Sequence, residues 1–174
     1  MAEISERRAP GHGLGAEHPQ CDKMQLAFIL LFFAVWGIDS ASFFVLGYSA
    51  VVGFIPLLVR LLLAITSLSF GLLLVRKSHS AVFGESHDQL RLLDTGVYGR
   101  ICHPMYLGTL LVLLAFFFAI PSLLSLAVWI AFFIFFDKMA TYEEKDLAKI
   151  VGQDYAAYKK RVPKWLPRLT HSRR

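Results

Sequence analysis

Several marks of a soluble enzyme are missing from this sequence. It has no G-x-S-x-G elbow to raise a serine as nucleophile, no P-loop, and no G-x-G-x-x-G dinucleotide turn. Its two cysteines, Cys21 and Cys102, are too few for a disulfide framework or a zinc site. Both read as free thiols, and no metal is expected. Charge is sparse at 18% of residues, and the formal net charge of +5 comes from loops and tails rather than one basic face. Nucleic-acid modules need clustered Lys and Arg with stacking aromatics on a polar surface, so nucleic acid is excluded as a partner. What fills the chain is apolar: 56% of its 174 residues are hydrophobic, and the mean hydropathy is +0.53. A soluble domain this small cannot bury so much apolar surface, and the excess must face lipid.

Residues 1–23 carry Gly, Pro, His and charge without an apolar period. They read as a disordered tail and not as a signal peptide, since no small-residue cleavage site follows a short apolar core. Residues 24–75 are too long for one crossing and right for two, at about 20 residues each. With a break near 47–53, the expected spans are 24–46 and 54–75. Each holds one charge, Asp39 and Arg60, at about equal depth in an antiparallel hairpin. The two either pair, relieving both burial costs, or snorkel separately.

Residues 76–101 are too polar to span and read as a solvated loop; Ser78-His79 and Ser86-His87-Asp88 fall in it without a nucleophile elbow. Residues 105–136 form a second apolar block, split by Ile120-Pro121-Ser122. The proline ends one helix, and Ser122 can cap the next. Each arm has about 16 residues, roughly 24 Å, enough to reach just across or to stop short. The phenylalanines there read as packing or lipid contact. The middle loop and C-terminal tail are rich in Lys and Arg while the other turns are uncharged, which places both termini in the cytoplasm. The membrane is the cell membrane in a prokaryote and the endoplasmic reticulum in a eukaryote. The expected fold is all-α and integral to the membrane: about four transmembrane helices with a C-terminal helical hairpin.

Between the loop and that hairpin lies Leu93-Asp94-Thr95-Gly96-Val97-Tyr98-Gly99-Arg100-Ile101-Cys102-His103-Pro104-Met105-Tyr106-Leu107-Gly108. Pro104 suits a first helical turn, where its missing N–H costs nothing. Tyr98 and His103 then sit at the water boundary, where they serve equally well as interfacial anchors. After Phe136, a helix would put Glu143, Leu147, Ile150 and Val151 on one stripe. A carboxylate on such a stripe calls for a buried cationic partner; a solvated helix with Glu–Lys pairs is the plain alternative. Gly152 can end that helix. The basic, aromatic residues that follow, from Tyr155 to Pro167, suit an anionic membrane surface.

Together these residues carry a resemblance. Gly96-x-Tyr98-x4-His103-Pro104-x-Tyr106-x-Gly108, then a hairpin, then Glu143-Glu144-x-x-Leu147-x4-Gly152-x-x-Tyr155-x-x-Tyr158-Lys159-Lys160-Arg161-Val162-Pro163-x-x-Leu166-Pro167 looks like the isoprenylcysteine carboxyl methyltransferase family, whose core the phospholipid methyltransferases share. The match covers residues 90–167, about half of the chain. The resemblance implies that residues 76–174 are a methyltransferase core behind a two-helix hairpin at 24–75. It also implies S-adenosylmethionine in a cytosolic pocket contacted by Leu90, Leu93, Tyr98, His103, Pro104, Met105, Tyr106 and Glu143. Lys138, Met139 and Glu144 stand on the side implied for the substrate.

The chain departs from the family at two places: Cys102 stands where Arg commonly precedes His-Pro, and Met139 where prenylcysteine enzymes carry Arg. The expected reaction is methyl transfer to a lipid-borne nucleophile. A carboxylate needs no general base at neutral pH, whereas the ammonium of phosphatidylethanolamine must first lose a proton. That difference leans the sequence reading toward a carboxylate, with a phospholipid amine as the alternative. An NADPH-dependent sterol-type reductase and a non-enzymatic membrane protein are the readings from other classes.

Overall fold

A computed structural model describes residues 21–46, 55–83 and 92–167. Within them the chain forms five helices: α1 (Cys21–Leu46), α2 (Leu57–Phe83), α3 (Pro104–Ala119), α4 (Leu123–Val151) and α5 (Gln153–Arg161). Most of the expected tail, the 48–53 turn, Ser86-His87-Asp88 and Leu90 lie outside the described residues.

Lys23–Phe44 of α1, Leu57–Val82 of α2 and all of α4 are long and apolar enough to cross a membrane. α3 is apolar but has 16 residues, about 24 Å against a hydrocarbon core of about 30 Å. Among the described residues, three helices of spanning length therefore stand where four were expected.

α1 begins at Cys21, inside the expected tail, and α2 begins at Leu57 rather than at residue 54; two further boundaries differ more. α2 was expected to end at Val75 but runs to Phe83, because residues 76–83 contain no Gly or Pro to stop a helix already nucleated. Likewise, the second arm of the hairpin does not stop at Phe136. It continues through the glutamates as one 29-residue helix, α4, since a change from apolar to polar residues alters the surroundings of a helix without breaking it. The caps fall where the local chemistry puts them. Ser122 Oγ accepts from the Ser125 N–H at 3.2 Å, and Gly152 ends α4 at φ 69°, in the region that glycine occupies without penalty.

α2 and α3 run antiparallel in close contact. A Cβ at Gly71 would lie 2.8 Å from the Gly108 carbonyl oxygen, and one at Gly108 would lie 3.0 Å from the Val75 nitrogen. Small residues let membrane helices approach this closely, and Ser67 Oγ adds a hydrogen bond to the Leu111 carbonyl at 2.8 Å. α1 packs instead on α4 and α3. Trp36 donates to the carbonyls of Phe116 and Ile120 and Trp129 to that of Leu110, satisfying indole N–H groups inside an apolar bundle.

This lateral order bears on Asp39 and Arg60, which the sequence left either paired or apart. Among the described residues α2 packs on α3 and not on α1, and no ion pair joins Asp39 to Arg60. Equal depth on two helices does not make them neighbours.

The core is aromatic. Phe32, Phe132 and Phe136 are fully buried. Phe28 stacks on Phe132 (5.0 Å), Phe132 meets Phe136 at a tilt (4.2 Å), and Phe136 stacks on Tyr106 (4.4 Å). The phenylalanines expected as packing thus form a ladder that ends at the polar residues of the next section.

Candidate functional site

The turn before α3 begins at residues 95–100, where Gly99 and Ile101 donate to the carbonyls of Thr95 and Val97. Gly96 has φ 61°, and a Cβ at Gly99 would lie 2.8 Å from the Asp94 carbonyl oxygen. Both glycines of this turn are therefore backbone requirements. Pro104 then opens α3 at its first turn, as expected. His103 precedes it as the helix cap residue, but its side chain makes no capping bond. The imidazole turns toward α4 instead.

There it meets both glutamates. His103 Nε2 lies 3.1 Å from Glu144 Oε1, and Nδ1 lies 3.5 Å from Glu143 Oε2. The Tyr106 hydroxyl donates to Glu143 Oε1, and its ring stacks on that of His103 at 5.8 Å. Residues 41 positions apart in sequence are thus joined directly. His103 is buried, and both glutamate side chains are 16% exposed.

A lysine meets the neighbouring carboxylate: Lys159 Nζ donates to Glu144 Oε1 at 2.6 Å. Glu143 is shielded as expected, while Ile150 is 56% exposed and does not share the inward stripe. A stripe drawn at constant angle ignores where α5 ends its cover of α4.

The other expected residues distribute as follows. Pro104 is buried, and Leu93, Tyr98 and Met105 are half-buried beside the turn. Lys138 is exposed, and Met139 is half-buried one helical turn before Glu143. Cys102 is buried and donates its S–H to the Val162 carbonyl at 3.3 Å.

The sequence reading missed what closes the site from the C-terminal side. α5 and the residues after it were expected on a membrane surface, yet they fold back beneath the turn. Tyr155, Tyr158, Val162 and Cys102 form a buried cluster with Leu147 and Val151, and the Tyr158 hydroxyl donates to the Tyr98 carbonyl at 2.7 Å. The signal was the spacing: Tyr155 and Tyr158 are three residues apart and share a helix face. Burial raises the Cys102 thiol above its ordinary value. Burial, with the Glu144 charge nearby, raises the Tyr155 phenol, and burial raises that of Tyr158.

A group carrying a sulfonium and an ammonium fits this donor set. Two carboxylates lie side by side, and the rings of Tyr106 and His103 stack next to them, the surroundings that cations favour. Among the described residues no group of His, Cys, Asp and Glu has the arrangement of a metal site.

A comparison with protein families matches residues 48–154, well over half of the chain, to phospholipid methyltransferase. No curated protein and no solved structure matches the chain.

Proposed function

The chain belongs to the phospholipid methyltransferase family, and on that premise we propose that it transfers a methyl group from S-adenosylmethionine to the amine of a membrane lipid. The observation that carries this reading is the convergence of His103, Tyr106, Glu143 and Glu144 at the head of α3. Glu143 would hold the cationic part of the cofactor. Tyr106 orients that carboxylate through its hydroxyl, and His103 bridges it to Glu144. Leu93, Tyr98, Pro104 and Met105 would line the remainder, with Leu90 on the preceding loop. The cofactor supplies the electrophilic methyl group.

The placement of the lysines supports an amine rather than a carboxylate as acceptor. Lys159 is bound to Glu144 and Lys164 to Asp137, Lys138 is exposed, and position 139 holds Met. A carboxylate acceptor would have to draw Lys159 or Lys164 from its partner, or rely on the exposed Lys138. An ammonium instead approaches carboxylates, and it must pass a proton to a carboxylate or to water before attack. The lipid tail enters sideways between helices, α3 completes the passage across the membrane, and the site faces the cytoplasm.

Purified protein, labelled cofactor and vesicles test the acceptor. Label should appear in phosphatidylethanolamine and not in a prenylcysteine analogue; the opposite result returns the reading to a carboxylate. Binding of NADPH in place of S-adenosylhomocysteine would turn it to a reductase.

A further inference from the structure

Residues 162–165 lie beyond the matched family region, yet they grip the site from two directions. Toward α4, the Lys164 ammonium meets three oxygens: Asp137 Oδ1 at 2.5 Å, the Asp137 carbonyl at 2.9 Å and Thr141 Oγ1 at 2.8 Å. An ammonium has three hydrogens, so its donor capacity is spent on the helix. Trp165 Nε1 donates to the same Asp137 Oδ1 at 2.9 Å. Its ring lies 5.3 Å from that of Phe133 and 6.2 Å from that of His103.

Toward the turn, the grip is through backbone. The Cys102 N–H donates to the Pro163 carbonyl at 3.0 Å, and its S–H donates to that of Val162. Cys102 is the residue before His103. Because the His103 side chain makes no capping bond to α3, its ring direction is set by what surrounds it. Glu143 and Glu144 attract it from one side, while Trp165 and the tethered Cys102 define the other.

We propose that residues 162–165 form a clasp that fixes the His103 ring against the two glutamates, with Lys164 and Trp165 as positioning residues and Asp137 as their anchor. The clasp also accounts for Cys102. At 7% exposure beneath Val162 and Pro163, that position has no room for the long cationic side chain common in the resembling family. The effect on cofactor binding rests on the methyltransferase reading; the clasp itself does not.

Cys102 reports on the clasp directly. In the full chain with Cys21→Ser, reconstituted in nanodiscs, the rate of Cys102 labelling by a water-soluble maleimide is measured without any ligand. Lys164→Met and Trp165→Ala should raise that rate by about tenfold or more, because a buried group is reached through local opening. Lys164→Arg, which keeps charge and donors, should restore protection, and Lys160→Met, on an exposed side chain, should leave it unchanged. Trp165→Phe serves where the alanine variant does not fold, and far-ultraviolet circular dichroism confirms helix content in every variant. An unchanged rate in folded Lys164→Met overturns the clasp. Where the unsubstituted protein binds S-adenosylhomocysteine, faster labelling with unaltered affinity overturns the positioning role. Absence of binding to the unsubstituted protein counts against the methyltransferase reading alone, because the labelling rates still decide the clasp.

Discussion

Lys159 Nζ lies 2.6 Å from Glu144 Oε1, and that contact separates the duties of two adjacent glutamates. Glu144 ties α5 to α4 and to His103 Nε2. Glu143, a third of a turn away, answers to Tyr106 and His103 Nδ1. A double-mutant cycle with Glu144→Gln and Lys159→Met checks the first duty. The lysine side chain is 30% exposed, so a coupling of about 0.5–1 kcal/mol is expected in thermal unfolding in detergent. Fully additive losses would show that the two do not support each other.

Tyr106→Phe separates packing from hydrogen bonding at the second glutamate. The ring keeps its stack on Phe136 and loses the donation to Glu143. A stability loss of about 1–2 kcal/mol is expected, with helix content unchanged. Tyr106→Leu should cost more, since the end of the aromatic ladder goes with it. Equal losses in the two variants would mean that the hydroxyl contributes nothing.

The α2–α3 contact is sensitive to a single methyl group. In Gly108→Ala the new Cβ meets backbone atoms of Gly71 and Val75 at 2.9 and 3.0 Å, and backbone cannot step aside as a flexible side chain can. The expected loss is about 1–3 kcal/mol in thermal unfolding. A stability equal to that of the unsubstituted protein would show that the two helices are not held this closely.

Alkaline pH should loosen the C-terminal cluster first. Cys102, Tyr155 and Tyr158 all favour their neutral forms in the folded chain, chiefly through burial. The folded state therefore keeps protons that the unfolded chain releases near pH 9.0 for the thiol and 10.0 for the phenols. Their contribution is complete below those values and is lost as pH rises beyond them. In ultraviolet titration, two of the six tyrosines should ionise late and together with loss of Cys102 protection. Six phenols titrating alike would contradict the burial of this cluster.

What could be read in the sequence was local. Pro104 at a first turn, Ser122 as a cap and Gly152 as a stop each act within a few residues, and all three stand where expected. The motif resemblance put His103, Tyr106 and Glu143 around one cofactor pocket; that they bond to one another directly is a finding of the structure. Side-to-side order was not legible: hydropathy gives Asp39 and Arg60 a depth but cannot say that α2 packs on α3 and not on α1. The docking of α5 was hidden by composition. Lysines and tyrosines that suit a lipid surface suit a carboxylate-lined helix equally well, and only the spacing of Tyr155 and Tyr158 distinguished the two.

The central claim is that the carboxylates at the head of α3 hold S-adenosylmethionine. Calorimetric titration of the full chain with S-adenosylhomocysteine, alongside Glu143→Gln and with NADPH as the control, tests it most directly. The account predicts binding of S-adenosylhomocysteine alone, weakened by about tenfold or more in Glu143→Gln, as expected when a charged partner of a cationic ligand is neutralised. Undiminished affinity in that variant, or binding of NADPH in its place, would contradict it.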